Sequence, residues 1–179
     1  YKLPRLFFVT NMDDDHASFR ELLLKLEKEF GRKIAPFHLP IRENEKFVGF
    51  VNVVKMAGRR FTVNSDYVEC DIPDYSQKNL GIAREALMEA VAETSEEYME
   101  RYFSGDEFTQ AEISAALREH VIEGNIVPVM LGSGINAQGA KMVLQAIDKY
   151  VPSRDHYECI GVEVSTGERV TAKYNDDVS

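Results

Sequence analysis

The chain has no G-x-x-x-x-G-K-[ST] stretch, so it lacks the amide-and-lysine loop that cradles nucleotide phosphates. A G-x-S-x-G elbow, an H-E-x-x-H helix and a strict G-x-G-x-x-G dinucleotide fingerprint are missing as well. No complete catalytic apparatus can be read, and no catalytic residue is assigned. The two cysteines, Cys70 and Cys159, lie far apart, and His16, His38, His120 and His156 are scattered. A disulfide framework or zinc site needs clustered ligands, so none is expected. No apolar run approaches the roughly 20 residues of a membrane-spanning helix, and no signal peptide is seen. The expected location is the cytoplasm, with no membrane partner. Basic residues are the minority: 21 Lys and Arg against 30 Asp and Glu, a net charge of −9 and a pI near 5.0. That balance argues against non-specific nucleic-acid binding over the whole surface. It leaves room for a local basic group at Lys55, Arg59 and Arg60.

What is present is an ordinary globular composition, 44% hydrophobic and 28% charged over 179 residues. It suits one domain, or one domain with an inserted lobe. The organising stretch is Leu6-Phe7-Phe8-Val9 followed by Thr10-Asn11-Met12-Asp13. A short apolar run bounded by a polar turn reads as a buried strand of a parallel sheet. Open α/β sheets bind ligands beyond the carboxyl ends of their strands, where Thr10 to Asp13 would sit. The Asp13 carboxylate can accept two parallel hydrogen bonds. Guanine offers such a donor pair on its N1 and N2 edge, and adenine does not. Each charge-assisted bond is worth roughly 1.5–3 kcal/mol, so a pair could decide base identity.

Further along, Asp14 or Asp15 is expected to cap a helix with Phe19, Leu22, Leu23, Leu26 and Phe30 on one face, closed by Gly31. Residues 34–41 read as extended and Arg42 to Lys46 as a polar turn. Phe47 to Val54 reads as a strand, Gly58-Arg59-Arg60 as a turn, and Phe61 to Val63 and Val68 to Ile72 as short strands. A helix over about 76–93 should bury Leu80, Ala83, Leu87 and Val91. Ser95 and a Thr109/Glu112 capping box start two more helices, closed near Gly105 and Gly124. Acidic residues from Glu93 to Glu112 form a negative face. At Ile126 the opening pattern returns: an apolar run to Leu131, a turn at Gly132-Ser133-Gly134, then a helix over about 138–150 with Met142, Val143, Ala146, Ile147 and Tyr150 inward. Residues 32–125 therefore read as an insert between two strand–turn–helix units of one sheet. The tail from Arg154 suggests a linker with one hairpin.

This order of strands, turns and helices resembles the second half of the GTP-binding domain of translation elongation factor G. The resemblance rests on Phe7-Phe8-Val9, Met12-Asp13, Leu39-Pro40-Ile41, Glu89-Ala90-Val91-Ala92-Glu93-Thr94, Ile126-Val127-Pro128-Val129 and Gly132-Ser133, and it covers nearly the whole chain. It implies an α/β fold: a partial P-loop-NTPase-like parallel sheet, its last two strands and their helices, with an inserted α+β subdomain. Residues 1–31 and 126–153 would belong to the GTP-binding domain, 32–125 to the insert, and 154–179 to a linker toward a following β domain. The phosphate loop, the switch segments and the magnesium site would lie upstream, so this piece alone is expected to be inactive.

By the same resemblance, Asp13 matches the family's base-reading aspartate. Thr10 and Asn11 stand where the family has asparagine and lysine, and Ser133-Gly134 where it has Ser-Ala. Threonine is shorter than asparagine, and Asn11 lacks the lysine stem and charge. Weakened GTP or GDP affinity is expected, in a divergent elongation-factor-G-like paralogue. The implied partners are the ribosome and, through the insert, its acidic stalk protein. The implied function is that of a translational GTPase active in translocation. The alternative is a ribosome-docking or ribosome-protection-type factor with weak or absent GTPase activity. The free edge of the first strand is expected to be long and apolar, and covered by the tail, a rearranged segment or a second copy of the chain.

Overall fold

The structure is a computed structural model that describes residues 3–31, 33–62, 66–153 and 159–172. Its elements run β1 (Phe7–Val9), α1 (Phe19–Phe30), β2 (Ile34–Pro36), β3 (His38–Glu43), β4 (Lys46–Asn52), β5 (Ala57–Phe61), β6 (Tyr67–Cys70), α2 (Asp74–Ala92), α3 (Glu96–Ser104), α4 (Gln110–Glu123), β7 (Val127–Leu131), α5 (Ala140–Tyr150), β8 (Cys159–Val162) and β9 (Arg169–Ala172). The fold is mixed α/β. One sheet is parallel, in the order β1–β7–β2; a second is an antiparallel meander, β3–β4–β5–β6; β8 and β9 form a separate hairpin.

Each element follows from local chemistry. The run Val-Pro-Val-Met-Leu is apolar at every position and is buried at every position, as a central parallel strand requires. Phe8 lies opposite Met130 on one side of β7 and Ala35 opposite Pro128 on the other. α3 is capped by Ser95, whose side chain accepts from the Tyr98 amide, and α4 by the reciprocal Thr109/Glu112 box. Gly105 and Gly124 end these helices in the left-handed conformation. α2 packs against β2, β3, α3 and α4, and α4 against α5. The buried side chains of Phe50, Leu80, Leu87, Val91, Leu117, Val129 and Leu131 belong to one cluster that runs through both sheets. Burying each such side chain contributes roughly 1.5–3 kcal/mol.

Several expectations are corrected. The strand 34–36 pairs with β7, so the parallel sheet resumes two residues after the expected start of the insert. β1 is half-buried rather than buried. α1 is capped by Ser18, which accepts from the Glu21 amide at 3.3 Å; Asp14 instead accepts from the His16 amide at 2.8 Å in the preceding turn. Gly58-Arg59-Arg60 lies inside β5, not in a turn. The turn comes earlier, where Asn52 Oδ1 accepts from the Lys55 amide at 2.8 Å and Met56 takes a positive φ. Gly58 serves the strand pairing: a Cβ there would stand 2.5 Å from the Cys70 carbonyl oxygen. Arg59 and Arg60 pair with Glu69 and Glu43, so they form no free basic group. Glu112 is drawn out of the acidic face by Arg101, at 2.7 Å. Ile147 is exposed, while Met142, Ala146 and Tyr150 are buried.

Among the described residues no strand pairs with the outer edge of β1, and the β8–β9 hairpin forms its own sheet. The edge needs little cover because it is only three residues long, and the Phe7 ring lies 5.1 Å from that of Phe30. Val63 and residues 154–158 and 173–179, to which strand and linker readings extended, lie outside the described residues. No described helix is long and apolar enough to cross a membrane.

Candidate functional site

The two turns singled out in the sequence meet. Val9 and Leu131 end adjacent parallel strands in register. Beyond them the Gly132 amide donates to the Val9 carbonyl at 2.9 Å, and the Met12 amide donates to the Gly132 carbonyl at 3.1 Å. These two bonds zip the 10–13 loop to the 132–134 loop at the carboxyl edge of the sheet. Only glycine fits at 132, since a Cβ would stand 2.1 Å from the Gln138 carbonyl oxygen and 2.6 Å from the Phe8 ring. The Met12 side chain, 1% exposed, sinks into the core and anchors the first loop from below.

The named residues divide sharply. Asp13 is half-buried, and its Oδ1 is shut off from solvent with no hydrogen-bond partner among the described residues. An acceptor left in that state costs about 1–3 kcal/mol. It is not spent on capping α1, which is the work of Ser18. Thr10 and Asn11 are exposed, and neither side chain bonds a described residue. Asn11 holds a left-handed conformation, φ 59°, that asparagine tolerates well. Ser133 is buried. Its amide is already committed to the Gln138 carbonyl at 2.9 Å, and its Oγ accepts from the Asn136 amide at 3.4 Å. Of the two main-chain amides expected to face a base, only that of Gly134 is left without a described partner.

A residue that the sequence reading placed in a polar turn proves to belong to this site. The Arg42 guanidinium reaches from β3 to the first loop, where Nη2 donates to the carbonyls of Met12 at 2.8 Å and of Asp14 and Ala17 at 3.2 Å each. Nothing in the local sequence signals this, because the three acceptors are main-chain groups some 25–30 positions away.

Volume and chemistry point to different places. A hollow of about 980 Å³ lies between α1 and α2 over β2, and neither Asp13 nor Ser133 lines it. The hollow beside the first loop is about 220 Å³, bounded by Val9, Thr10, Asn11, Met12 and the start of α1. That is below the roughly 300–1,000 Å³ of most ligand pockets. We place the candidate site at the joined loops, because an unsatisfied acceptor and an uncommitted donor stand there on two segments tied by backbone bonds. A flat ligand would lie on this edge rather than inside it.

Titratable groups elsewhere are shifted for structural reasons. Burial pushes the His38 imidazole down to about 3; its ring lies 4.5 Å from that of Phe50. The hydrogen bond from Arg101, helped by the Thr109 amide, holds the Glu112 carboxyl down at about 2.

No protein family model matches the chain. A crystal structure of a protein from Thermus thermophilus is similar, with 28% sequence identity and a TM-score of 0.77. The likeness covers 95% of this chain and 27% of that one. The chain thus spans about a quarter of the length of that protein.

Proposed function

We propose that this chain carries the guanine-reading part of an elongation-factor-G-like translational GTPase, with the parallel sheet as part of a P-loop-type nucleotide domain and the β3–α4 region as its inserted lobe. The observation that carries the reading is the zipping of the Asp13 loop to the Gly132–Gly134 loop, with Asp13 Oδ1 left unsatisfied and the Gly134 amide uncommitted. A guanine would match that donor–acceptor set once the Asp13 side chain turned its enclosed Oδ1 toward the edge. Asp13 would accept from the N1 and N2 edge, and the Gly134 amide would donate to O6. GTP or GDP is the proposed ligand. Its phosphates, and any magnesium ion with them, would be held by residues other than those of this chain, and no hydrolytic step is assigned to it. The proposed partner is the ribosome, with its acidic stalk protein on the inserted lobe, in the cytoplasm.

A second reading has a specific observation in its favour. The Thr10 and Asn11 side chains are solvent-exposed and bond no described residue, and the nearby hollow is small, about 220 Å³. Both features weaken the grip on a base. A ribosome-docking or ribosome-protection-type factor that barely turns over GTP would carry such a site.

Titration of the protein at its full natural length with GDP and ADP tests both. Weak binding with a clear guanine preference is expected, and Asp13→Ala should remove at least tenfold of that preference, since it deletes bonds worth roughly 1.5–3 kcal/mol each. Equal affinity for the two nucleotides in the unaltered protein would refute the guanine assignment. Ribosome-stimulated GTP hydrolysis would then separate the two readings: turnover supports the GTPase, and docking without turnover supports the second.

A further inference from the structure

We infer that Arg42, a residue of the second sheet, is the positioning residue that holds the Asp13 loop in the form able to meet a purine. The inference rests on the guanine reading above for what is positioned, and on geometry alone for the positioning itself.

The carbonyls of Met12, Asp14 and Ala17 converge on one point, Arg42 Nη2, while Nη1 donates to the Glu45 carbonyl at 2.6 Å. No carboxylate among the described residues pairs with this guanidinium. Its charge is spent on main-chain oxygens. Three carbonyl dipoles aimed at one point repel each other unless a cation sits between them. Two of the three belong to the residues that flank Asp13, so holding them sets the direction in which the Asp13 side chain leaves the chain.

The reach of Arg42 is built into the sheet. The register between β3 and β4 shifts between Ile41 and Arg42, and such an irregularity re-aims a side chain. Tyr75, near the start of α2, then fixes the backbone at that spot. Its hydroxyl accepts from the Arg42 amide at 2.9 Å and donates to the Arg42 carbonyl at 3.0 Å. The clasp therefore runs from α2 through β3 to the loop that carries Asp13, and makes that loop answer to the second sheet. Lysine cannot replace it: a single ammonium lacks the planar fork that serves Glu45 on one nitrogen and the loop on the other.

Hydrogen exchange and nucleotide titration on Arg42→Gln and Arg42→Lys in the full natural protein test this. The Asp14 and Ala17 amides, which donate to Asn11 and Asp14 carbonyls, report on the loop without any ligand. Both substitutions should speed their exchange at least about tenfold and leave β4 and β7 protected as before. Guanine preference over adenine should fall about fivefold or more, the size of an ordinary coupling between neighbouring sites. Unchanged exchange at Asp14 and Ala17 would overturn the inference. So would faster exchange throughout β4 and β7, which marks a residue that merely stabilises the fold, or a loosened loop with undiminished guanine preference. If the loop loosens locally in a protein that never preferred guanine, the clasp stands and the guanine reading alone falls.

Discussion

His38 offers a sharp test of the core. It is 6% exposed, its Nδ1 has no partner among the described residues, and its Nε2 meets only the Asn52 amide nitrogen at 3.4 Å. Burial drives its pKa down from 6.5 to about 3. Between those two values the unfolded chain holds a proton that the folded chain refuses, so stability falls as the pH drops through 6.5. The size of the loss at about pH 5 depends only on the unfolded value, provided the folded one lies well below. A gap of about 1.5 pH units at 1.36 kcal/mol per unit gives about 2 kcal/mol. Carboxylates contribute little until the pH falls further. Urea unfolding at about pH 7.5 and about pH 5 should therefore show the midpoint of the unaltered protein drop by roughly 1 M. In His38→Gln, which cannot titrate, the starting stability is lower but that part of the drop should vanish. An equal loss between the two pH values in both proteins would refute the assignment of His38 as a neutral core group.

Thr109→Ala should cost about 1 kcal/mol by removing one half of the α4 capping box, while Thr109→Ser should be nearly silent in the same denaturation assay. Gly132→Ala would place a methyl group 2.1 Å from the Gln138 carbonyl and so force the two site loops apart. It should abolish guanine preference and speed exchange at the Met12 and Ser133 amides, with the β3–β6 meander still protected; retained preference would show that the junction does not matter.

Much of the architecture was legible in advance because its signals are local. Ser95, the Thr109/Glu112 box, Gly105 and Gly124 mark helix ends by chemistry within four residues, and all are found where expected. The unbroken apolar run of β7 announced a second buried strand of the parallel sheet, and its return after β1 announced the pairing that brings the two loops together; its central place, with β2 on the other side, was not foreseen. Apart from the cap of α1, which Ser18 supplies in place of Asp14 or Asp15, what failed was mostly non-local. Gly58 read as a turn residue because glycine often is one, whereas its missing side chain makes room for the Cys70 carbonyl on the next strand. Arg59 and Arg60 read as a turn and part of a local basic group because their acidic partners, Glu69 and Glu43, lie across strand pairings that sequence does not display. At the site, Asp13 could be named from its carboxylate and its turn, and Gly134 from the resemblance alone. That the Ser133 amide is already occupied, and that Arg42 holds the loop, are facts of three-dimensional convergence.

The placement of β7 between β1 and β2 has a consequence for how the chain acquires its shape. The meander pairs each strand with its sequence neighbour and can zip as it leaves the ribosome. Both outer strands of the parallel sheet are synthesised early and must wait for a partner some 90 residues downstream of Pro36. At about 5–20 residues per second, that leaves β1 and β2 without their hydrogen-bond partner for roughly 5–20 s of translation. The meander and its helices have been synthesised by then, so β7 pairs on both sides with strands made long before it, and the two loops can meet only once the residues after Leu131 exist.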